Sequence, residues 1–150
     1  RQMCIRDSYR LSPKTCIMLD NKMQFPLHGS GNTKRNFIFS DDFCDGIYSS
    51  IKKGIIGEKY HFSGDEIISI KEIVKRICRI KKKKFDSYVK LVKERKCKDK
   101  IYLLQSQKTK KKLKWNSKTS FNKGLKKTIQ FYKKNFNHLK NEKNDYVFQK

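Results

Sequence analysis

The chain carries its apolar side chains in short periodic segments separated by polar turns, a pattern typical of alternating helices and strands. Apolar residues three or four apart predict amphipathic helices over Tyr9–Asn21, Asp41–Lys53 and Thr119–Phe136. A fourth helix is expected after Ser69, with Glu72 at the capping-box position. The face that this fourth helix would bury consists of Ile70, Ile73, Val74, Ile77 and Cys78. In the helix over 41–53 the apolar stripe consists of Phe43, Ile47, Tyr48 and Ile51.

Extended segments are shorter and fewer than helical ones. Aromatic and β-branched residues predict strands over Asn36–Phe39, Lys59–Phe62 and Ile101–Leu104, whereas Phe85–Val92 fits neither period. Ser106 is expected to cap a short basic helix. This order of elements, with short connections, favours an α/β fold, but the strands are too few for a complete doubly wound sheet.

The stretch Pro26–Phe43 organises the rest of the pattern. It predicts an extended end at Pro26, a turn over Gly29–Asn32, a strand opened by Arg35, and N-cap oxygens from Ser40–Asp42, with Asp41 as the cap. An arginine beside a glycine turn can bind phosphate through paired N–H donors, and the small turn would let a ligand come close. The alternative is an arginine that ends a strand and pairs with a surface carboxylate, which composition alone favours.

Composition limits the possible partners. The 150 residues fit one domain or a piece of a larger protein, and no apolar run approaches the roughly 20 residues that span a bilayer. A net charge of +24, from 38 Lys+Arg against 14 Asp+Glu, suggests a nucleic acid or an anionic membrane as partner. Because the excess is mostly lysine spread along the whole chain, we interpret it as surface drift, with no specific nucleic-acid partner. A basic nucleic-acid-binding protein stays open as the alternative of another class.

Cysteine and motif usage argue against metal and self-contained catalytic sites. The five cysteines, an odd number, show no CxxC spacing, and the three histidines are not at zinc-finger offsets. Cys44 and Cys78 fall at apolar helix positions, so a reducing, cytoplasmic setting is the simplest inference. The sequence contains no GxGxxG or GxxGxxG turn, no P-loop and no hydrolase constellation of serine, cysteine and histidine.

Five segments together resemble the carboxy-terminal part of extended short-chain dehydrogenase/reductases, the NAD-dependent epimerase/dehydratase family. Within that family they are most similar to the dTDP-glucose 4,6-dehydratase kind. The segments are YRLSPKT at Tyr9–Thr15, PLHGSGNTKRNFIFSDDFCDGIY at Pro26–Tyr48, GEKYHFSG at Gly57–Gly64, ERKCKDKIYLLQSQKTKKKLKW at Glu94–Trp115 and TSFNKGLKKTIQFYKKN at Thr119–Asn135. Each is weakly specific, but all five occur in family order and at family-like spacing.

The resemblance implies a division of labour along a longer protein. Such enzymes oxidise the sugar C4 with NAD, eliminate water across C5–C6 and return the hydride to C6. An amino-terminal Rossmann domain carries NAD, a YxxxK pair and the acid/base carboxylates; in this chain Tyr48 and Lys52 match the spacing only by chance. We therefore expect a carboxy-terminal fragment, inactive alone, of a full-length homodimer. Its expected divisions are residues 1–8 as non-native or disordered, 9–138 as a nucleotide-sugar-binding lobe, and 139–150 as a polar tail.

The resemblance also implies which residues hold the nucleotide-sugar substrate. Arg35 and Arg95 correspond to arginines that bind the diphosphate, and His61 stands where many relatives carry asparagine, although a packed or surface role fits it equally. The positions near the base and ribose are Arg10, Leu11, Pro26 and His28. The family's Asp-Arg-Pro-Gly-His-Asp motif is altered to Glu94–Asp99, which leaves the conformation of that loop open. A nucleotide-sugar 4-epimerase of the same superfamily is the sister alternative, and Trp115 and the helix after Thr119 are expected to be core.

Overall fold

The computed structural model describes residues 11–94 and 101–135, and these divide into two compact units. The first unit contains 11–31, 71–94 and 125–135, and the second contains 32–70 and 101–124. The elements follow one another as α1 (Leu11–Asp20), β1 (Phe25–His28), β2 (Lys34–Asn36), α2 (Ser40–Lys53), β3 (Ile67–Ser69), α3 (Ile70–Ile80), α4 (Phe85–Tyr88), β4 (Val89–Val92), β5 (Ile101–Tyr102), α5 (Gln107–Leu113) and α6 (Phe121–Lys134). The α/β prediction is confirmed.

The first unit is built around two parallel strands. β1 pairs with β4 in a register that runs from Phe25 opposite Val89 to His28 opposite Val92. The apolar faces of α3 and α6 turn inward, as the sequence predicts, whereas α1 buries residues around most of its circumference. The buried side chains of this unit include Cys16, Ile17, Leu19, Phe25, Leu27, Ile73, Val74, Ile77, Cys78, Leu125, Ile129 and Tyr132.

The second unit contains a three-stranded sheet in the order β3-β2-β5, with β2 antiparallel to β3 and parallel to β5. The same unit contains an aromatic cluster: the ring of Phe62 meets Phe43 and Trp115 edge to face, at centroid distances of 5.8 and 4.9 Å. Trp115 Nε1 donates to the backbone carbonyl of Asp42 at 3.0 Å. Trp115 is buried, so its predicted role in the core is confirmed.

Helix α2 begins one residue before its predicted start and turns an unexpected face inward. Its N-cap position is Phe39, and the Ser40 hydroxyl donates to Asp41 Oδ1 at 3.4 Å, so the prediction of Asp41 as the cap was wrong. The buried residues of α2 are Asp42 and Gly46. Gly46 packs so closely against the Phe62 ring that a Cβ at position 46 would lie 2.6 Å from it. Of the predicted apolar stripe, Ile47, Tyr48 and Ile51 face outward, whereas Phe43 packs against Phe62.

Two further local predictions were wrong, and a third was confirmed only in part. Residues 59–62 form no strand, since the backbone N–H of His61 bonds the Thr109 hydroxyl instead of a neighbouring strand. Ser106 occupies the N-cap position of α5, as predicted, but its side chain makes no cap hydrogen bond. Its buried hydroxyl accepts a hydrogen bond from Ser63 Oγ at 3.2 Å instead. Cys44 is exposed on α2, opposite in burial to Cys78, because α2 buries Asp42 and Gly46.

Several elements are shorter than the pattern predicts. The strand containing Arg35 ends at Asn36 and β5 at Tyr102, and the ambiguous stretch 85–92 divides into α4 and β4. The run Lys81–Lys84 is a connection, as expected for a charged loop. No helix among the described residues is long and apolar enough to cross a membrane.

Candidate functional site

In the first unit, a glycine turn follows β1 and is held by backbone hydrogen bonds. Gly29 and Gly31 have φ angles of 60° and 69°, which favour glycine. Gly29 N–H donates to Val92 O at 2.8 Å, and Lys71 N–H donates to Gly31 O at 2.9 Å. A Cβ on Gly31 would lie 2.9 Å from Leu27 Cδ2, and one on Gly29 would meet the Glu94 side chain. The glycines therefore allow close packing of the protein itself, and the expectation that they leave clearance for a ligand stays a prediction.

The predicted base and ribose residues of this unit lie on β1 and at the start of α1. Pro26 and His28 are two positions apart, so they share one face of the strand, and both are half-buried. His28 Nδ1–H donates to Lys93 O at 3.2 Å, which orients the ring. Leu11 is the first residue of α1 and is half-buried. Arg10 and Arg95 lie outside the described residues.

In the second unit, Arg35 occupies the middle of the central strand. Its partners in the register are Ile68 on β3 and Tyr102 on β5. The side chain is half-buried, and its Cζ lies 5.4 Å from the centroid of the Tyr102 ring. Within residues 11–94 and 101–135, no carboxylate lies within ion-pair distance of Arg35. Among the described residues, Arg35 therefore does not form the surface ion pair that was the alternative interpretation.

Next to Arg35, Asn36 fixes the chain that leaves β5. Asn36 Nδ2 donates to Leu104 O at 2.8 Å, and Leu104 N–H donates to Asn36 Oδ1 at 3.2 Å. The side-chain amide thus replaces a strand neighbour and satisfies both backbone groups of one residue. Sequence reasoning missed both Asn36 and Tyr102; the position of Tyr102 within the fourth matching segment was the signal available.

His61, the other predicted site residue of this unit, has an exposed side chain. Its backbone is fixed by Thr109, whose hydroxyl accepts from His61 N–H at 3.0 Å and donates to His61 O at 2.7 Å. The imidazole is therefore held at the surface by its main chain, and its proposed contact with phosphate or ribose stays a prediction.

Two features of the described residues bear on NAD and metal binding. The glycine turn after β1 leads into β2 instead of a helix, so it lacks the helix N-terminus on which a dinucleotide pyrophosphate rests. No group of three His, Cys, Asp or Glu side chains that could hold a metal is found in this part of the chain. The arrangement around Arg35 is suited to binding an anion. Its guanidinium lies against the Tyr102 ring and has N–H donors from which an anion can accept hydrogen bonds.

Comparisons with known proteins agree with this picture. Residues 10–128 match the family model described as GDP-mannose 4,6 dehydratase. The human dTDP-D-glucose 4,6-dehydratase is 29% identical over 137 residues, which are 88% of this chain and 39% of that protein. A trifunctional UDP-glucose 4,6-dehydratase of Arabidopsis thaliana is 29% identical over 126 residues, covering 84% of this chain and 19% of its own.

Solved structures give the same relationship. The dTDP-glucose 4,6-dehydratase of Streptomyces venezuelae, solved with NAD bound, superimposes with a TM-score of 0.84 at 28% identity and covers 87% of this chain and 40% of its own. A UDP-glucose 4-epimerase of Thermotoga maritima gives 0.78 at 20% identity, over 85% of this chain and 40% of its own, and shows the shared fold alone. This chain thus spans about two fifths of the length of these dTDP-glucose dehydratases. It belongs to the GDP-mannose 4,6-dehydratase family of extended short-chain dehydrogenase/reductases.

Proposed function

We propose that this chain supplies the nucleotide-binding part of an NAD-dependent nucleotide-sugar 4,6-dehydratase. The observation that carries the proposal is the family match over residues 10–128, most of the chain. The position of Arg35 supports it, because a half-buried guanidinium without a carboxylate partner among the described residues retains its charge and donors. Such a group is suited to a diphosphate, which accepts paired N–H donors.

Individual roles follow from the resemblance and are proposed residue by residue. In the second unit, Arg35 binds the diphosphate and His61 donates to phosphate or ribose. In the first unit, Leu11, Pro26 and His28 contact the base and ribose. We also propose that Arg10 contacts the base and that Arg95 binds the diphosphate. Binding energy on this remote part of the substrate would help to position the sugar for reaction.

The chemistry itself is assigned to polypeptide that the longer relatives have beyond this match. NAD and the acid/base residues would lie there, in an enzyme that dimerises. The isolated 150-residue chain is accordingly expected neither to bind NAD nor to turn substrate over. The buried free thiols of Cys16 and Cys78 support a reducing compartment such as the cytoplasm.

A nucleotide-sugar 4-epimerase is the second candidate, because epimerases share the fold at TM-scores of 0.74 to 0.81. Their identity of 20 to 22% is lower than the 27 to 28% of the solved dTDP-glucose dehydratases, which favours the dehydratase. A threonine and a carboxylate pair beside the YxxxK of the complete enzyme would support the dehydratase.

A salt titration with two ligands tests the proposal against nucleic-acid binding. We expect dTDP to bind saturably, with an affinity that changes little between 50 and 200 mM salt. This range is used because the affinity of proteins for polyanions falls steeply across it. A single-stranded RNA oligonucleotide of mixed sequence should lose most of its affinity over the same range, without competing with dTDP at 200 mM. Tight, salt-resistant and sequence-selective RNA binding would overturn the proposal, and so would the absence of binding to all three of dTDP, UDP and GDP.

A further inference from the structure

We propose that Tyr102 is a positioning residue for Arg35: its ring holds the guanidinium in the plane in which it binds the diphosphate. This inference rests on the proposed function, because it refines how one residue of the nucleotide site is held. Tyr102 touches neither NAD nor the reacting sugar in this account, and its role is exerted through Arg35.

The strand register brings the two side chains together. Arg35 on β2 and Tyr102 on β5 are Cα partners in a parallel pair, so their side chains leave the sheet on the same face. The 5.4 Å from Cζ to the ring centroid lies within the roughly 6 Å over which a cation and an aromatic face attract. On the other side, Arg35 faces Ile68, a buried aliphatic residue that offers no polar contact.

An aromatic partner has a specific advantage for a residue that must bind an anion. A carboxylate would occupy the N–H donors of the guanidinium and neutralise its charge, whereas a ring face uses neither. Arginine loses rotamer freedom when it binds, and a preformed orientation lowers that loss. The ring therefore orders the side chain and leaves all five donors for phosphate.

The protein also fixes the position of Tyr102. Because β5 has only two residues, its own ladder is short, and the two hydrogen bonds between Asn36 and the backbone of Leu104 hold the chain two residues further on. The Tyr102 hydroxyl makes no hydrogen bond to any residue in 11–94 or 101–135, and the residue is 49% exposed. The ring, and not the hydroxyl, is the functional feature.

The test compares dTDP binding by variants of the full 150-residue chain, measured by calorimetry at 200 mM salt. Tyr102→Leu removes the ring but keeps an apolar side chain, and we expect the affinity to fall about three- to fivefold, the effect of one exposed cation–π contact. Tyr102→Phe should bind like the unmodified chain. The matched control is Tyr48→Leu, which removes an exposed tyrosine that lies 4.5 Å from Lys52 Nζ and should leave the affinity unchanged.

A double-variant comparison separates positioning from direct contact or general damage. In a chain that carries Arg35→Ala, adding Tyr102→Leu should cause no further loss, because the guanidinium to be positioned is absent. The inference is overturned if Tyr102→Leu binds normally while Arg35→Ala does not, or if Tyr102→Leu weakens binding equally in both backgrounds. Failure of the unmodified chain to bind dTDP, UDP or GDP would instead overturn the proposed function, and this inference with it.

Discussion

Asp42 is a buried carboxylate, 3% exposed, that joins α2 to the segment before α6. Its Oδ2 accepts hydrogen bonds from Ser117 Oγ at 2.9 Å and from Thr119 N–H at 2.8 Å, and its Oδ1 accepts from Thr119 Oγ1 at 3.2 Å. Burial acts to raise the pKa of Asp42, but these bonds, with one from the Lys118 backbone, outweigh it and lower the pKa. The charged carboxylate thus stabilises the second unit.

We predict that Asp42→Asn lowers the free energy of unfolding by about 3 kcal/mol at pH 7, since it weakens several charge-assisted hydrogen bonds in a buried site. Because the folded pKa is depressed, this stabilisation is fully present above the unfolded pKa of about 3.9 and is lost as the pH falls through the folded value. Urea unfolding of both proteins at pH 7, 5 and 3 measures the difference, which should shrink at pH 3. Asp45→Asn, at an exposed ion pair with Lys118, is the control and should cost less than about 1 kcal/mol. A difference between Asp42→Asn and the unmodified chain that is the same at all three pH values would contradict this account.

The sequence shows which residues are polar at a helix start, but not what they bind. Asp41 and Asp42 both fit the capping pattern, yet the structure uses Asp42 to bind Ser117, 75 residues further along the chain. Arg35 could likewise be placed beside a strand from local pattern alone. Its pairing with Tyr102 depends on the parallel register of β2 and β5, which no local rule determines.

Among the elements, α2 shows most clearly that an apolar stripe need not be buried within the same chain. Ile47, Tyr48 and Ile51 are 43, 58 and 77% exposed, whereas Gly46 allows the Phe62 ring to pack against the opposite face. Exposed apolar side chains that adjoin on one helix face promote association.

We therefore expect the isolated 150-residue chain to self-associate through α2 as its concentration rises. The double substitution Ile47→Lys/Ile51→Lys should shift it toward monomer in sedimentation velocity, with little change in the free energy of unfolding. Ile73→Lys is the contrasting variant: Ile73 is buried in α3, so an unpaired charge there should unfold the first unit. Self-association that is unchanged in the double variant would show that another surface is responsible.

Element types were predicted well where periodicity was strong and poorly where it was short. The buried face of α3 agrees at Ile73, Val74, Ile77 and Cys78. The strand predicted over 59–62 failed because its polar backbone groups are satisfied by the Thr109 side chain, a contact across 48 residues. Short extended runs therefore take their structure from distant partners.

For the whole molecule, the net charge of +24 is only partly neutralised by its few carboxylates. Glu58 accepts hydrogen bonds from Lys108 and Lys112, which lower its pKa, and Lys110 pairs with Asp65. These exposed contacts contribute little to stability, and we expect the remaining lysines to attract polyanions without selectivity. Charge alone would have suggested a nucleic-acid-binding protein, whereas the order of five motifs indicated the family that the comparisons support.

The most direct test of the central claim is the effect of Arg35 on nucleoside diphosphate binding. In calorimetric titrations of dTDP, UDP and GDP at 200 mM salt, we expect Arg35→Ala to lower the affinity of the preferred nucleotide at least tenfold, through loss of charge-assisted hydrogen bonds. Arg35→Lys should recover only part of that loss, because lysine lacks the planar fork. The charge-matched control is Lys34→Ala, one position earlier on β2 and directed to the opposite face, which should change the affinity less than twofold. Unchanged binding by Arg35→Ala, or an equal loss in Lys34→Ala, would contradict the account.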